Sequence, residues 1–234
     1  MPPQCAVIIP AAGSSSRFGG PRNKLLETLD GRAVIARTVE TFLARSDVAR
    51  VVLPTGLSEL STLLRHDPRI LLCAGGEPRA HSVWEGLKNV PESIEWVAVH
   101  DGARPLVSQE LIDRTLAAAK AYGAAVPALA VALTIKQAHG PLPAMVEKTI
   151  PRENLWAMQT PQVARRADLL RAFETCPIPL ARVTDDVQLI ELAGGHVWLV
   201  AGEERNLKIT TPLDLKLAHV LLREDALSAG DVGE

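Results

Sequence analysis

The sequence lacks an excess of charge of either sign. Its 25 Lys and Arg stand against 27 Asp and Glu, a net charge of −2, which gives no electrostatic case for binding nucleic acid or an anionic membrane. No apolar run approaches the roughly 20 residues of a membrane span. Met1-Pro2-Pro3-Gln4 leads straight into an apolar segment, without the basic start and apolar stretch of a secretion signal. Cysteine is scarce: Cys5, Cys73 and Cys176 are odd in number, far apart and without metal-ligand spacing, so neither a disulfide framework nor a metal-binding cysteine set is indicated. Cys5 and Cys73 lie in apolar runs and read as reduced core residues. Internal repeats and linker-like stretches are missing as well. These absences predict a soluble cytoplasmic protein. Its 234 residues, 47% of them hydrophobic, suffice for one domain, 1–234, with a sizeable core.

The best-known glycine-loop templates are also absent. Lys24 is not preceded by glycine, so there is no G-x-x-x-x-G-K-[ST] phosphate loop. There is no G-x-G-x-x-G for a dinucleotide, and Arg17 stands where a G-x-S-x-G nucleophile elbow needs its second glycine. What is there is Val7 to Lys24. An apolar run, Ala6 to Ile9, has the length and β-branching of a buried strand. It breaks into Pro10-Ala11-Ala12-Gly13-Ser14-Ser15-Ser16-Arg17, made almost wholly of tiny residues, with Arg17 and Lys24 near its ends. Small side chains leave backbone N–H groups bare for an anion, and two cations supply fixed charge. A turn alone also draws Gly and Ser, so the loop by itself leaves both readings open.

Along the chain, periodicity predicts a helix over Ala33 to Ala44, a strand over Val48 to Leu53 closed by Pro54-Thr55-Gly56, and a short helix over Leu57 to Leu64. Ile70 to Cys73 reads as a strand, Arg79 to Asn89 as a helix, and Trp96 to His100 as a strand. Next comes a helix capped by Ser108 and ending near Tyr122-Gly123. Ala124 to Val131 continues as a strand. The β-α alternation predicts a parallel sheet with helices on both faces and ligands beyond the carboxyl ends of its strands. From Thr134 the rhythm changes. Thr134–Gln137 and Met145–Ile150 flank a turn at His139-Gly140-Pro141, a hairpin leaving the sheet that needs a partner surface to be stable, unless it is only a surface loop. Arg165 to Phe173 reads as a helix. Thr184 is placed as the cap of a helix over Val187 to Ala193, with Asp185 and Asp186 in its first turn. His196 to Val200 is the last strand, Thr211-Pro212 opens the last helix, and Ser228 to Glu234 is expected to fray.

Six motifs then stand in order: Pro10-Ala11-Ala12-Gly13 with Arg17 and Gly19; Gly75-Gly76-x-x-Arg79-x-x-Ser82-Val83; His100-Asp101-x-Ala103-Arg104-Pro105; Gln159-Thr160-Pro161-Gln162; Thr184-Asp185; and Asn206-x-Lys208-Ile209-Thr210. In this the chain resembles the 2-C-methyl-D-erythritol 4-phosphate cytidylyltransferases of the non-mevalonate isoprenoid pathway. The resemblance implies a Rossmann-like nucleotidyltransferase fold, a homodimer joined through an arm at 134–160, and transfer of CMP from CTP to methylerythritol phosphate with Mg²⁺ and release of pyrophosphate. It implies catalytic roles for Arg17, Lys24, Arg152 and Lys208. Ala11, Ala12, Gly13, Gly75, Gly76 and Ser82 would hold CTP. Asp101, Arg104, Thr134, Thr160 and Thr184 would contact the methylerythritol moiety, with Asp101 able to orient Mg²⁺ through water. Without the resemblance, Arg152 reads as a solvated arm residue, Lys208 as a strand-end lysine and Ser82 as a helix-surface hydroxyl, while His81 and His100 carry no assigned chemistry. The chain departs from the family pattern at Ser15, where a second Gly is frequent, at Asn23, where Pro is usual, and at Gly102, where Ala is usual. The competing readings are a ribitol 5-phosphate cytidylyltransferase, which would share the nucleotide half, and a non-catalytic nucleotide-binding regulator.

Overall fold

The structure, a computed structural model, describes residues 5–19, 23–64 and 66–230. Its first strand, β1 (Cys5–Ile8), lies inside the sheet. Cys5, Val7 and the following Ile9 join one apolar cluster with Phe42, Val51, Leu53, Leu111 and Ile112. Ala6 and Ile8 point the other way, into a cluster with Val52, Val83, Leu87, Val97 and Leu169. A strand buried on both faces has no polar side, which is why this run shows no apolar–polar alternation.

The hairpin β2 (Thr28–Leu29) and β3 (Arg32–Ala33) turns through Asp30 and Gly31, both at positive φ, the pattern that matches strand twist in two-residue turns. There follow α1 (Val34–Leu43), β4 (Val48–Thr55), α2 (Leu60–Leu63), β5 (Ile70–Ala74), α3 (Arg79–Lys88), β6 (Trp96–Val99), α4 (Gln109–Tyr122) and β7 (Ala124–Ala130). Strands β6, β1, β4 and β5 pair in parallel in that order. Helices α1 and α4 cover one face and α3 the other, as the β-α alternation predicts. Ser108 caps α4 by accepting from Leu111 N at 3.0 Å, and Gly123, at φ 99°, ends it.

The arm hairpin, β8 (Ile135–Ala138) with β9 (Val146–Ile150), forms a sheet of its own. Then β10 (Trp156–Met158) and β11 (Gln162–Arg165) return antiparallel onto β7, and β11 also onto β6. The chain finishes with α5 (Arg166–Glu174), α6 (Val187–Leu192), β12 (Trp198–Ala201), parallel to β7, and α7 (Pro212–Gly230). The sheet runs β10-β7-β11-β6-β1-β4-β5 with β12 also on β7, a mixed, mostly parallel α/β arrangement. Among the described residues no helix is long and apolar enough to cross a membrane.

Several boundaries differ from expectation for local reasons. The 134–160 segment is not all arm: residues 156–158 rejoin the main sheet, and β11 went unforeseen because three or four residues are too few to show a period. Strand β4 runs through Pro54 to Thr55, since Pro54 falls past Ile8, the last residue of β1, where a missing N–H disturbs the ladder least. Helix α2 keeps only its central residues. Thr184 does not cap α6. Its Oγ1 lies against Gln188 Oε1, and Asp185 Oδ1 accepts from Gln188 N at 2.9 Å instead. Gly102 is not merely a smaller alanine, because a Cβ there would stand 2.6 Å from Ile35 Cδ1. Of the end expected to fray, residues 228–230 continue α7 and 231–234 lie outside the described residues.

Phe42 on α1 is fully buried, with its ring edge-on to His100 at 4.9 Å between centroids. Phe42→Ala is expected to lower the unfolding free energy by about 3–5 kcal/mol, measured by urea denaturation.

Candidate active site

The carboxyl ends of β1, β4, β5 and β6 share one edge, and the loops after β1, β5 and β6, with Lys208, line a cavity of about 270 Å³. Two close approaches set its floor. Ala11 N donates to Pro54 O at 2.8 Å, extending the β1–β4 ladder one step into the loop. Gly75 sits where a Cβ would be 2.7 Å from Pro54 C and 2.8 Å from Ala12 Cβ, so only glycine lets the exit of β5 press against the small-residue loop. On the far side of that loop a 3-10 turn, Lys24–Leu26, buries Leu25 and Leu26 and leaves Lys24 on the cavity wall.

Asp101, just past β6, is the electrostatic centre. Lys208 Nζ stands 2.7 Å from Oδ2, Arg79 Nε 3.1 Å from Oδ1, and Arg104 Nε 3.8 Å from Oδ2. Burial acts to raise the carboxyl pKa, but Arg79 and then Lys208 overcome it and hold Asp101 well below the usual carboxylate range. Arg79 also reaches Asp186 Oδ2 with Nη1 at 2.8 Å. For Asp186, buried at the start of α6, burial prevails over Arg79 and pushes the pKa up. Lys24 is shifted down by burial, then by repulsion from Lys208, with Arg17 adding to it.

A second layer holds these groups. His100 Nε2 faces Arg104 O at 3.1 Å, so that nitrogen carries the proton, and Nδ1 accepts from Thr160 Oγ1 at 3.1 Å. Thr160 Oγ1 in turn accepts from Asp101 N at 3.1 Å. Burial pushes the His100 pKa down to about 4. Arg104 Nη1 donates to Asn206 O at 2.6 Å, Asn206 Nδ2 to Thr160 O at 2.8 Å, and Gln159 Nε2 to Glu203 O at 2.7 Å. These bonds, with Ile209 N to Ala103 O at 2.8 Å, seat the segment that carries Lys208.

Of the residues singled out in the sequence, Arg17, Lys24, Lys208, Ala12, Gly13, Gly76, Ser82 and Asp101 line the cavity. The Ser82 hydroxyl accepts from Gly76 N at 2.9 Å and donates to Gly76 O at 2.6 Å, so it shapes that loop. Ala11, Gly75, Arg104 and Thr160 stand behind the wall, and the hydroxyl of Thr160 is turned to His100 and Asp101. Thr134, Arg152 and Thr184 are exposed and do not line the cavity of this chain. Arg152 Nη1 donates to Ala132 O within the arm. Sequence reasoning gave no role to Arg79 or Asp186. Arg79 stood inside a quoted motif, and Asp186 was covered by the expectation that both acids serve the start of a helix.

Compared with known proteins, residues 5–224 match the family described as 2-C-methyl-D-erythritol 4-phosphate cytidylyltransferase (IspD). The chain belongs to this family. It is 42% identical to the cytidylyltransferase of Gloeobacter violaceus, over 93% of this chain and 95% of that one. It is also 42% identical to a bifunctional IspD/IspF enzyme of Desulfotalea psychrophila over 94% of this chain, and there the matched part is 57% of the relative's length. The crystal structure of the Francisella tularensis cytidylyltransferase superposes with a TM-score of 0.81 at 32% identity, covering 92% of this chain and 98% of that one. The cytidylyltransferase motifs thus divide physically: the first three supply the cavity wall, and Gln159, Thr160 and Asn206 hold it in place.

His100 yields a pH dependence of stability. The unfolded chain takes up a proton below about pH 6.5, whereas the folded His100 resists it down to about 4. Stability therefore falls as pH drops through that window, by about 1–2 kcal/mol between pH 6.5 and 5 from this group. Urea midpoints of the native chain and His100→Gln at the two pH values measure it, and the variant is expected to lose less.

Proposed function

We propose that the chain transfers CMP from CTP to 2-C-methyl-D-erythritol 4-phosphate, releasing pyrophosphate, as a Mg²⁺-dependent homodimer in the cytoplasm. The observation that carries this reading is the convergence of Arg17, Lys24 and Lys208 on one cavity that also holds the small-residue loop. Lys24 is destabilised as a cation first by burial and then by Lys208 and Arg17, and a triphosphate beside it would supply the counter-charge it lacks. The acceptor is a phosphate monoester, already anionic near neutral pH, so its oxygen attacks the α-phosphorus without a general base. What remains is positioning and charge neutralisation. Arg17 and Lys24 take the charge that develops on the α-phosphate and the departing pyrophosphate. Lys208, held by Asp101, meets the phosphate of the acceptor. Gly76 and the segment that Ser82 clips face the cytosine end, and Ala11, Ala12, Gly13 and Gly75 form the loop floor beneath the phosphates. In this reading Arg104 and Thr160 act through Asp101 and the segment around Asn206.

Among the described residues no group of three His, Cys, Asp or Glu could cage a metal. Asp101, the carboxylate on the cavity lining, would hold a Mg²⁺ brought in with the nucleotide through a bound water. The metal when bound neutralises phosphate charge. Free thiols at Cys5, Cys73 and Cys176 suit a reducing compartment.

The homodimer is supported by the arm. Leu133, Leu142 and Met145 are at least 77% exposed, an apolar surface of the kind that a partner covers. Arg152 and Thr134 lie on the same segment, exposed, and in the dimer they complete the acceptor side of the partner's cavity.

Pyrophosphate release with CTP and Mg²⁺ tests the acceptor. Release is expected with methylerythritol phosphate and not with ribitol 5-phosphate or without acceptor. Preference for ribitol phosphate would move the chain to the sister activity, and no release with either would favour a nucleotide-binding regulator. Lys24→Ala is expected to lower kcat far more than it raises KM. Shared sites are tested by mixing Arg152→Ala and Lys24→Ala subunits: if Arg152 acts across the dimer, the mixture regains activity that neither variant has alone.

A further inference from the structure

We propose that Ser15 and Asn23 form a side-chain latch that positions Lys24 for catalysis, which rests on the role given to Lys24 above. Ser15 Oγ donates to Asn23 Oδ1 at 2.9 Å and accepts from Lys24 N at 3.3 Å. Asn23 Oδ1 also accepts from Leu25 N at 3.0 Å, and its Nδ2 donates to Gly13 O at 3.0 Å. Two side chains therefore tie the limb of the loop that leaves β1 to the 3-10 turn that carries Lys24. Neither bond extends a strand or a long helix, so their effect is local to the loop and to the amine on its far limb.

The backbone at both positions shows what the latch replaces. Ser15 sits at φ 56°, a left-handed conformation that a residue with a Cβ resists and glycine accepts freely. A glycine there would be easier on the backbone; the serine adds the hydroxyl. Asn23 sits at φ −66°, ψ 131°, within the range to which a proline ring confines φ. A proline there would fix the angle without any side-chain bond. At these two positions the residues present bond to each other. Here a hydrogen-bonded bridge does the work of two backbone restraints.

The test is kcat and KM for CTP and for the acceptor in Ser15→Gly, Asn23→Ala, the combined variant, Ser15→Gly/Asn23→Pro and Lys24→Ala. Each single latch variant is expected to lose roughly tenfold in kcat, the scale of a small misplacement of a reacting group, with KM changed less. The combined variant is expected to be no worse than the poorer single, since one bridge is removed once. Ser15→Gly/Asn23→Pro is expected to recover most of the lost kcat, which a merely stabilising contact would not predict. Circular dichroism checks that each variant is folded at the assay temperature, and Ser15→Gly, which removes the same bridge from the other limb, carries the test if Asn23→Ala is not folded. Native kcat in Lys24→Ala would overturn the role of Lys24 itself. An inactive Lys24→Ala beside latch variants with native kcat, with losses that multiply, or without recovery through proline overturns the latch alone.

Discussion

The ion cluster at Asp101 is the constraint on which the rest of the site depends. A buried carboxylate is tolerated only with compensating charge, and here Lys208, Arg79 and Arg104 come from three separate stretches of chain to supply it. Each of those cations is in turn fixed by the carboxylate. Arg79 opens α3 and Lys208 rides on the segment before α7, so one side chain fastens two distant elements to the sheet edge, while Arg104 answers it from its own loop. The neutral His100 and the hydroxyl of Thr160 hold Asp101 from behind without adding charge of their own. That matters because a protonated His100 would weaken the cluster by placing another cation against it.

Around that neutralised centre the wall is left positive. Among the described residues no carboxylate forms an ion pair with Arg17 or Lys24 as Asp101 does with Lys208, and burial, then repulsion from Lys208, shifts Lys24 down. Such an arrangement is poor for stability and good for binding a polyphosphate, since the field is in place before the ligand arrives and needs no reorganisation. In the proposed reaction the two roles fall to different parts of the wall: the Asp101 group would organise the acceptor side, and the loop after β1 with its two cations would take the nucleotide phosphates.

Much of this was legible in the residues. Apolar runs such as Val7-Ile8-Ile9 and Trp96-Val97-Ala98-Val99 mark buried parallel strands, and the loops that follow them are where ligands bind in such sheets. Arg17 and Lys24 could therefore be named from the loop itself, Asp101 and Lys208 only through the family resemblance, and all four are found on one cavity. What stayed hidden depends on contacts distant in sequence. The pairing of Arg79 with Asp186 joins residues more than a hundred positions apart, and nothing local to Asp186 separates it from an acid that merely favours a helix start. Strand β11 is short, and its place between β6 and β7 is set by neighbours on either side rather than by its own period. Thr160 looked like a substrate contact because a motif contains it, yet its hydroxyl faces inward. A motif preserves residues that aim other residues as well as those that touch ligand.

Gly102 carries a consequence for how this sequence can change over time. The volume that a methyl group would fill there is already taken by Ile35, on a different element, and Ile9 crowds the same point. Because that atom is the free end of a rotatable side chain, an alanine at this position asks Ile35 to swing its terminal methyl aside. Two residues that never meet in the primary sequence thus share one small volume at the edge of the site, and a change at either is felt by the other.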